Sequence, residues 1–350
     1  MNFIKSKAAI LRQLNKPLEI TNILIPRKLL KGQILVKMIY SGICGSQLGE
    51  INGIKGEDKY LPHLLGHEGI ATVIEANDKV VKVKKGDVVL LHWMPSNGIN
   101  SKTPIYFDSF KKKINAGYVT TFNEYAIVSE NRLTKIKKEK KNYLDYLLLG
   151  CTASTAIGSV NNNLPILKKS SVIVSGCGAI GIYIIKYLKY LGIKKVIGID
   201  VDKKKIEFAK KSGCIKIFNA IDKNYKKKLN NYLINGADYV FECSGNSVQI
   251  SKMFEILNSK GTLNLIGVPN HGAKSEFNTL EINLGKKILG NKGGDFYAKK
   301  HIYAYKDVIF SKQCSHKNLI TETIQLDEIN QFFKRMAKGK VVGKGVIAFT

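Results

Sequence analysis

Arginine is nearly missing from this chain. Only Arg12, Arg27, Arg132 and Arg335 occur, which leaves 52 of the 56 basic residues to lysine. DNA readers lean on arginine for bidentate base and phosphate contacts, and the basic clusters here, Lys111 to Lys113, Lys203 to Lys205 and Lys226 to Lys228, are short and scattered. The net charge of +29 therefore reads as a solvated lysine coat with the bias of an AT-rich coding sequence, and no nucleic-acid partner is expected. Long apolar runs are missing too. None approaches the ~18 residues a membrane span needs, and the opening stretch MNFIKSKAAILRQLNK lacks the apolar core of a secretion signal. No membrane partner and a cytoplasmic location are expected. The six cysteines stand far apart with no CxxC pair, which argues against a disulfide framework and against paired zinc knuckles.

What is present is length and apolar content. With 350 residues and 44% apolar side chains, the chain has material for about two domains of roughly 150 residues each. Residues 1 to 149 show short β-branched runs punctuated by Gly and Pro: GQILVKMIYSGICG, GIATVIEA, GDVVLLHW and FNEYAIVS. Such punctuation predicts an antiparallel, barrel-like β domain. From residue 150 to about 295 the period changes. Val172 to Ser175 is an apolar strand, a Gly-rich turn and a helical stretch to Gly192 follow, and Val196 to Asp200 is a second strand. The alternation continues through YVFECSG and TLNLIGV, which predicts a parallel sheet covered on both faces. The segment 296 to 350 ends in VVGKGVIAF, read as a strand returning to the first domain.

The turn after the first strand of the second domain is Gly176-x-Gly178-x-x-Gly181, and it opens a helix. Strand before, helix after and an acid at the next strand end turn a weak motif into a dinucleotide fingerprint. Gly176 permits the tight turn, Gly178 lets the backbone approach a pyrophosphate, and Gly181 lets helix pack close on strand. Amides at the helix start hold the phosphate oxygens. Asp200, 19 residues after Gly181, would accept hydrogen bonds from the adenosine ribose and repel a 2′-phosphate, favouring NAD over NADP. Lys205 complicates that preference, since a lysine beside the ribose tolerates a phosphate. The plain alternative is a Gly-rich turn that binds nothing.

Cys44 in SGICGS and His67-Glu68 in LLGHEG lie 23 residues apart. Alone, each reads as a small buried thiol or a satisfied core histidine. A third donor changes the reading, and Cys151 in LLLGCTAST is the candidate. Two thiolates and one imidazole would leave the fourth tetrahedral position open, as in a catalytic rather than a structural zinc site.

Taken together, GHE, SGIC followed two residues later by a hydroxyl, Gly86-Asp87 before an apolar strand, GCTASTA, the GxGxxG unit and Gly267-Val268-Pro269 resemble the zinc-dependent medium-chain alcohol dehydrogenase family over nearly the whole chain. The ligand set Cys44, His67 and Cys151 is the one known for alcohol dehydrogenase and is carried over from that resemblance. The resemblance implies a GroES-like β-barrel catalytic domain (1–149 and 296–350) and a Rossmann, doubly wound NAD-binding domain (150–295). It implies Glu68 as the acid that approaches the metal, and Ser46 as the hydroxyl relaying the substrate's proton. Thr155 and Ile180 would seat the nicotinamide, and backbone at Val268 would hold its carboxamide. Trp93, the sole tryptophan, would line the substrate pocket, with a core aromatic as the alternative. A homodimer or homotetramer acting on a small alcohol or carbonyl substrate is expected.

Four departures from the family stand out. The segment from Trp93 to Phe122 lacks the four cysteines of a structural zinc lobe, so one catalytic zinc per chain and no structural zinc is expected. Gln47 stands where relatives often have an Asp orienting the zinc-bound histidine. Gly49 replaces the histidine that ends the proton relay in some relatives. Cys151 stands where polyol-type relatives often carry Glu, which argues against a sorbitol-type enzyme. The expected reaction is reversible oxidation of a secondary alcohol, polyol or sugar-type alcohol by NAD, with zinc acidifying the hydroxyl and hydride passing to the nicotinamide where the two domains meet. The alternatives are a zinc-independent quinone or enoyl reductase of the same superfamily, and a non-catalytic NAD-binding or nucleic-acid-binding protein. Cys177, Cys214, Cys243 and Cys314 read as apolar fillers. His92, next to Trp93, is a further candidate to reach the pocket.

Overall fold

The computed structural model describes residues 3–161 and 164–349. Two units emerge: Met1–Cys151 with Tyr297–Phe310 and Ile320–Thr350, and Thr152–Phe296 with Ser311–Leu319.

The first unit is built mainly on β-strands, with the helix Ile329–Ala337 adding Ile329, Phe332 and Phe333 to its core. A closed barrel joins the strands Phe3–Leu11, Glu19–Pro26, Ile105–Phe107, Lys113–Asn115 and His63–Leu64. A seven-stranded sheet is built on Gln33–Gly42, whose neighbours include Gly69–Ala76, Tyr125–Ser129 and Lys344–Ala348. Most pairs are antiparallel, while Ile320–Ile324 runs parallel to Lys344–Ala348 and His63 pairs in parallel with Asn115. The two-residue period explains the burial of the central strand. Ile34, Val36 and Met38 pack with Val73, Val89 and Val128 on one face, and Leu35 packs with Ile10, Ile23 and Tyr106 on the other. Each such side chain contributes about 1.5–3 kcal/mol on burial. Val346 pairs with Gly42, so the C-terminal strand lies beside the segment that leads into Cys44.

The second unit holds a six-stranded, wholly parallel sheet. Its order is Lys216–Asn219, Lys195–Asp200, Ser171–Ser175, Ala237–Glu242, Leu257–Leu265, Lys287–Gly290. Parallel strands require crossovers, supplied by the helices Ala179–Tyr190, Lys203–Ser212, Tyr225–Tyr232 and Ser247–Glu255. Sequence-adjacent strands run outward in both directions from Ser171–Ser175 and Ala237–Glu242, the doubly wound order whose switch point opens at the carboxyl ends of those strands. Residues 311 to 319 cluster with this unit and not with the barrel, a departure from the expected return of all of 296–350. Gln313 donates to the Ser212 carbonyl at 3.2 Å and Cys314 is fully buried, which anchors the segment there.

Candidate metal centre and nucleotide-binding turn

Three loops of the first unit converge. Cys44 is the residue before the short helix Gly45–Ile51, in extended backbone (φ −122°, ψ 152°). His67 lies between the strands His63–Leu64 and Gly69–Ala76, and Cys151 follows the helix Tyr143–Leu148. Their ligand atoms all fall within 4.8 Å of one another, the one such group of three or more His, Cys, Asp or Glu among the described residues. Zinc bonds of about 2.0 Å to nitrogen and 2.3 Å to sulfur set tetrahedral corners roughly 3.5–3.8 Å apart, so the donor set fits this ion in number, softness and spacing.

The surroundings prepare the donors electrostatically. The Cys151 thiol donates toward Cys44, and with help from His67 and Lys344 this holds the Cys44 thiol well below the ordinary thiol range despite burial. The same bond, together with burial, pushes Cys151 well above it. Burial opposes charge on His67, but Cys44 and the nearby carboxylates outweigh it and raise the imidazole. The pairing thus favours the thiolate form on Cys44 over Cys151, and thiolate is the form a metal binds.

Glu68 is fully buried beside the cluster, and Lys344, 1% exposed, donates from Nζ to Glu68 Oε1 at 2.5 Å and to the Ile43 carbonyl at 3.3 Å. Burial raises the Glu68 carboxyl against the pull of Lys344; burial lowers Lys344 but Glu68, Cys44 and Cys151 more than reverse that. Glu68 Oε2 has no hydrogen-bond partner. The close approach depends on two glycines. A Cβ at Gly42 would lie 2.6 Å from Glu68 Cδ, and one at Gly150 2.6 Å from Glu68 Cβ. Ser46 Oγ, two residues past Cys44, is also buried without a partner. Gln47 accepts from the Cys44 backbone N–H at 2.9 Å through Oε1, and its Nε2 lies in hydrogen-bond contact with His67 Nδ1. Trp93 is half-buried, with its carbonyl taking a 2.7 Å bond from Arg132. His92 is not at this cluster: Nδ1 faces the Met94 carbonyl at 2.7 Å, Nε2 faces Thr134 at 3.1 Å, and burial pushes its pKa down to about 4.

In the second unit the glycine turn joins Ser171–Ser175 to the helix Ala179–Tyr190. Gly176 takes φ +91°, and a Cβ on Gly181 would lie 2.0 Å from the Gly176 carbonyl oxygen, which fixes both residues as glycine. Space around Gly178 is open, leaving its backbone accessible. Asp200 locks onto the turn: Oδ2 accepts from Cys177 N–H at 2.6 Å, and Oδ1 accepts from Val201 and Asp202 N–H at 2.8 and 2.9 Å. Ile180 lies in the first turn of the helix, and the Lys205 backbone N–H is capped by Asp202 at 2.9 Å. Close backbone contacts connect Gly176 to Ser244 and Gly245 to Val268, so the carboxyl ends of three strands come together. Thr155 lies on the helix Thr152–Asn161, where its carbonyl packs against Gly294.

Sequence reasoning missed two groups. Lys344 has no local signal, being one lysine among 52 in a glycine-flanked strand. Glu242 ends a strand with its carboxylate accepting from Ser244 and Gly245 N–H, both at 3.0 Å, and thereby shapes the loop that meets Gly176. An acid closing an apolar run, YVFE, was a signal available for the second.

Similarity to known proteins agrees with this geometry. Residues 30–138 match the alcohol dehydrogenase GroES-like domain and residues 179–305 the zinc-binding dehydrogenase domain. An S-(hydroxymethyl)glutathione dehydrogenase of Escherichia coli O1:K1 is 29% identical, with 97% of this chain and 98% of the relative covered. Among solved structures, an alcohol dehydrogenase zinc-binding domain protein from Burkholderia ambifaria superposes with TM-score 0.89 at 22% identity, covering 100% of both chains. Benzyl alcohol dehydrogenase from Acinetobacter calcoaceticus gives 0.86 at 22%, covering 99% and 100%. A GroES-like β unit and a unit with a wholly parallel, Rossmann-like sheet in one chain define the class, a two-unit dehydrogenase. The chain belongs to the zinc-dependent medium-chain alcohol dehydrogenase family.

Proposed function

We propose that this chain transfers hydride reversibly between an alcohol and NAD, giving a ketone or aldehyde, with Cys44, His67 and Cys151 as ligands of a single zinc ion. The observation that carries the reading is the convergence of those three donors within 4.8 Å. Zinc held by these three side chains would supply Lewis acidity, which would make a substrate hydroxyl more acidic by several pKa units. The rest falls to the chain's own side chains. Ser46 Oγ, buried and unpartnered, accepts the hydroxyl proton and hands it on to water or the cofactor's ribose hydroxyls. Glu68, tethered by Lys344 through Oε1, is the acid beside the ligands that can approach the metal. Asp200, oriented by three backbone amides, takes the adenosine ribose hydroxyls and selects NAD, with Lys205 at the rim of that selection. Amides of the Gly176 to Gly181 turn hold the pyrophosphate. Thr155, Ile180 and Val268 seat the nicotinamide, and Trp93 lines the pocket for the alcohol. The unit built on the barrel is then the catalytic domain, and the unit with the parallel sheet the NAD-binding domain. With no cysteine between Trp93 and Phe122, one zinc per chain suffices. The active species is a cytoplasmic homodimer or homotetramer.

The test is zinc analysis of purified protein, joined to the absorbance of reduced nicotinamide over a panel of secondary, benzylic, polyol and hydroxymethyl-thiol alcohols. About one zinc per chain and chelator-sensitive turnover are expected. Turnover with near-zero zinc would instead mark a zinc-independent reductase, and would leave three converging donors without a role.

A further inference from the structure

We propose that a cleft of about 400 Å³ within the first unit is a ligand site in its own right, shaped for a small aromatic ring that carries a phosphate group. None of Cys44, His67, Cys151 or the Gly176 to Gly181 turn lines it, so the site is independent of the zinc and nucleotide readings.

The floor of the cleft is apolar. Val88 opens the strand Val88–Leu91, and the Ile136 N–H donates to its carbonyl at 3.0 Å, which sets the two side by side. Tyr146 comes from the helix Tyr143–Leu148 and Ile302 from the helix Ala298–Ala304. These four lining residues are each no more than 7% exposed, and Tyr146 is held edge-on against Phe310 at 5.3 Å. Tyr303 also lines the cleft but is 73% exposed, a large ring with one face free to stack on a ligand. The charge around this floor has one sign. Lys135 is engaged by Asp87, Nζ to Oδ1 at 2.7 Å, and Asp87 also takes the Lys84 N–H at 3.0 Å. Lys137, Lys138 and Lys306 line the cleft too, are exposed, and form no ion pair with any described residue. Glu139, the next acid along the chain, is not in the lining and accepts from Asn142 at 2.7 Å. Three free ammonium groups above an apolar floor match a doubly charged head on an apolar body, and a lysine ammonium is a compact point charge suited to phosphate. A volume of this size falls in the range of roughly 300–1,000 Å³ that small-molecule sites occupy, and such sites pair an apolar lining with a few convergent polar groups. A lysine coat that merely solvates the surface has no need to gather three charges around one hollow.

The zinc-loaded, full-length chain, with NAD added to saturation so that the nucleotide turn is occupied, is titrated with 4-fluorophenyl phosphate and followed by ¹⁹F NMR. Saturable binding is expected. Inorganic phosphate, added as a competitor, should bind at least about 10-fold more weakly, because it leaves the apolar floor uncovered. Lys137→Gln, Lys138→Gln and Lys306→Gln combined should weaken the probe roughly 10-fold, a few-fold for each exposed contact. Tyr303→Ala alone should cost a few-fold through the lost ring face. The same three changes at Lys111, Lys112 and Lys113, also exposed, remove equal charge elsewhere and should alter affinity by no more than about twofold. All the substituted side chains are exposed, and a thermal melt of each variant checks that the fold is kept. No binding at millimolar probe, inorganic phosphate binding as tightly as the aryl ester, or equal losses in the two triple variants would each overturn the site while the zinc reading stands. Binding that survives the triple change at the cleft places the probe elsewhere and overturns it as well.

Discussion

The two candidate sites are built by opposite means. At the cluster of Cys44, His67 and Cys151 the side chains carry the chemistry, drawn from three loops, and the backbone is scaffold. At the Gly176 to Gly181 turn the backbone amides carry it, and the side chains have been removed to let them. The cluster concentrates charge: a half-buried thiol, a buried thiol and a buried carboxyl share one lysine, Lys344, as counter-ion. The turn holds its one buried acid, Asp200, by three backbone N–H bonds and needs no cation for it. A side-chain site fails by loss of a donor or by uncompensated charge. A backbone site fails by crowding or by loss of the acid that pins it. Substitutions at one site should leave the readout of the other intact.

The sharpest separation should come from Cys151→Ala. Loss of a thiolate ligand removes zinc and several kcal/mol of transition-state stabilisation, so turnover should fall on the order of 10³-fold or more while NAD affinity, measured by fluorescence titration, stays put. Zinc retained together with activity would show that Cys151 is not a ligand. Next is Lys344→Met, which leaves Glu68 buried without its cation. Thermal or urea unfolding should show a loss of about 3–5 kcal/mol, and Lys344→Met combined with Glu68→Leu should recover much of it. If the double variant is no better than the single, the two side chains are not acting as a pair.

Asp200→Asn addresses the other site. With the ribose acceptor weakened, KM for NAD should rise roughly 10-fold and discrimination against NADP should narrow, at unchanged zinc content. Zinc loss in that variant would contradict the independence of the two sites. The smallest effect belongs to His92. Burial holds it neutral with a pKa of about 4, below the ~6.5 of an unfolded histidine. The unfolded chain therefore binds a proton over that interval and the folded chain does not. The contribution is intact above pH 6.5 and lost progressively as pH falls toward 4, the loss reaching about 1.4 kcal/mol at pH 5.5. His92→Gln should flatten that portion of the stability profile in denaturant titrations against pH.

The contrast between the sites also decides how much of each was legible in the chain. The nucleotide turn is local, so Gly176, Gly178, Gly181 and Asp200 carry their spacing and their strand-turn-helix context with them, and the order of the parallel sheet follows from the alternation of apolar strands with helices. The strands of the first unit's seven-stranded sheet were legible for the same reason, in runs such as Gln33–Gly42 and Gly69–Ala76. The cluster spans more than a hundred residues, and no spacing rule links Cys44 to Cys151; only the set of family motifs made the third donor visible. Lys344 lay beyond reach because its role depends on a strand pairing, Val346 with Gly42, that brings the end of the chain beside Glu68. The return of residues 311–319 to the second unit was hidden likewise, since a nine-residue stretch held by Gln313 and Cys314 has no periodicity to read.

The most direct measurement of the metal centre is zinc K-edge X-ray absorption on the zinc-loaded chain. Two sulfur neighbours at about 2.3 Å and one imidazole nitrogen at about 2.0 Å, with one further light atom, are predicted. A shell of oxygen and nitrogen alone, or one of four sulfurs, would contradict the assignment of Cys44, His67 and Cys151.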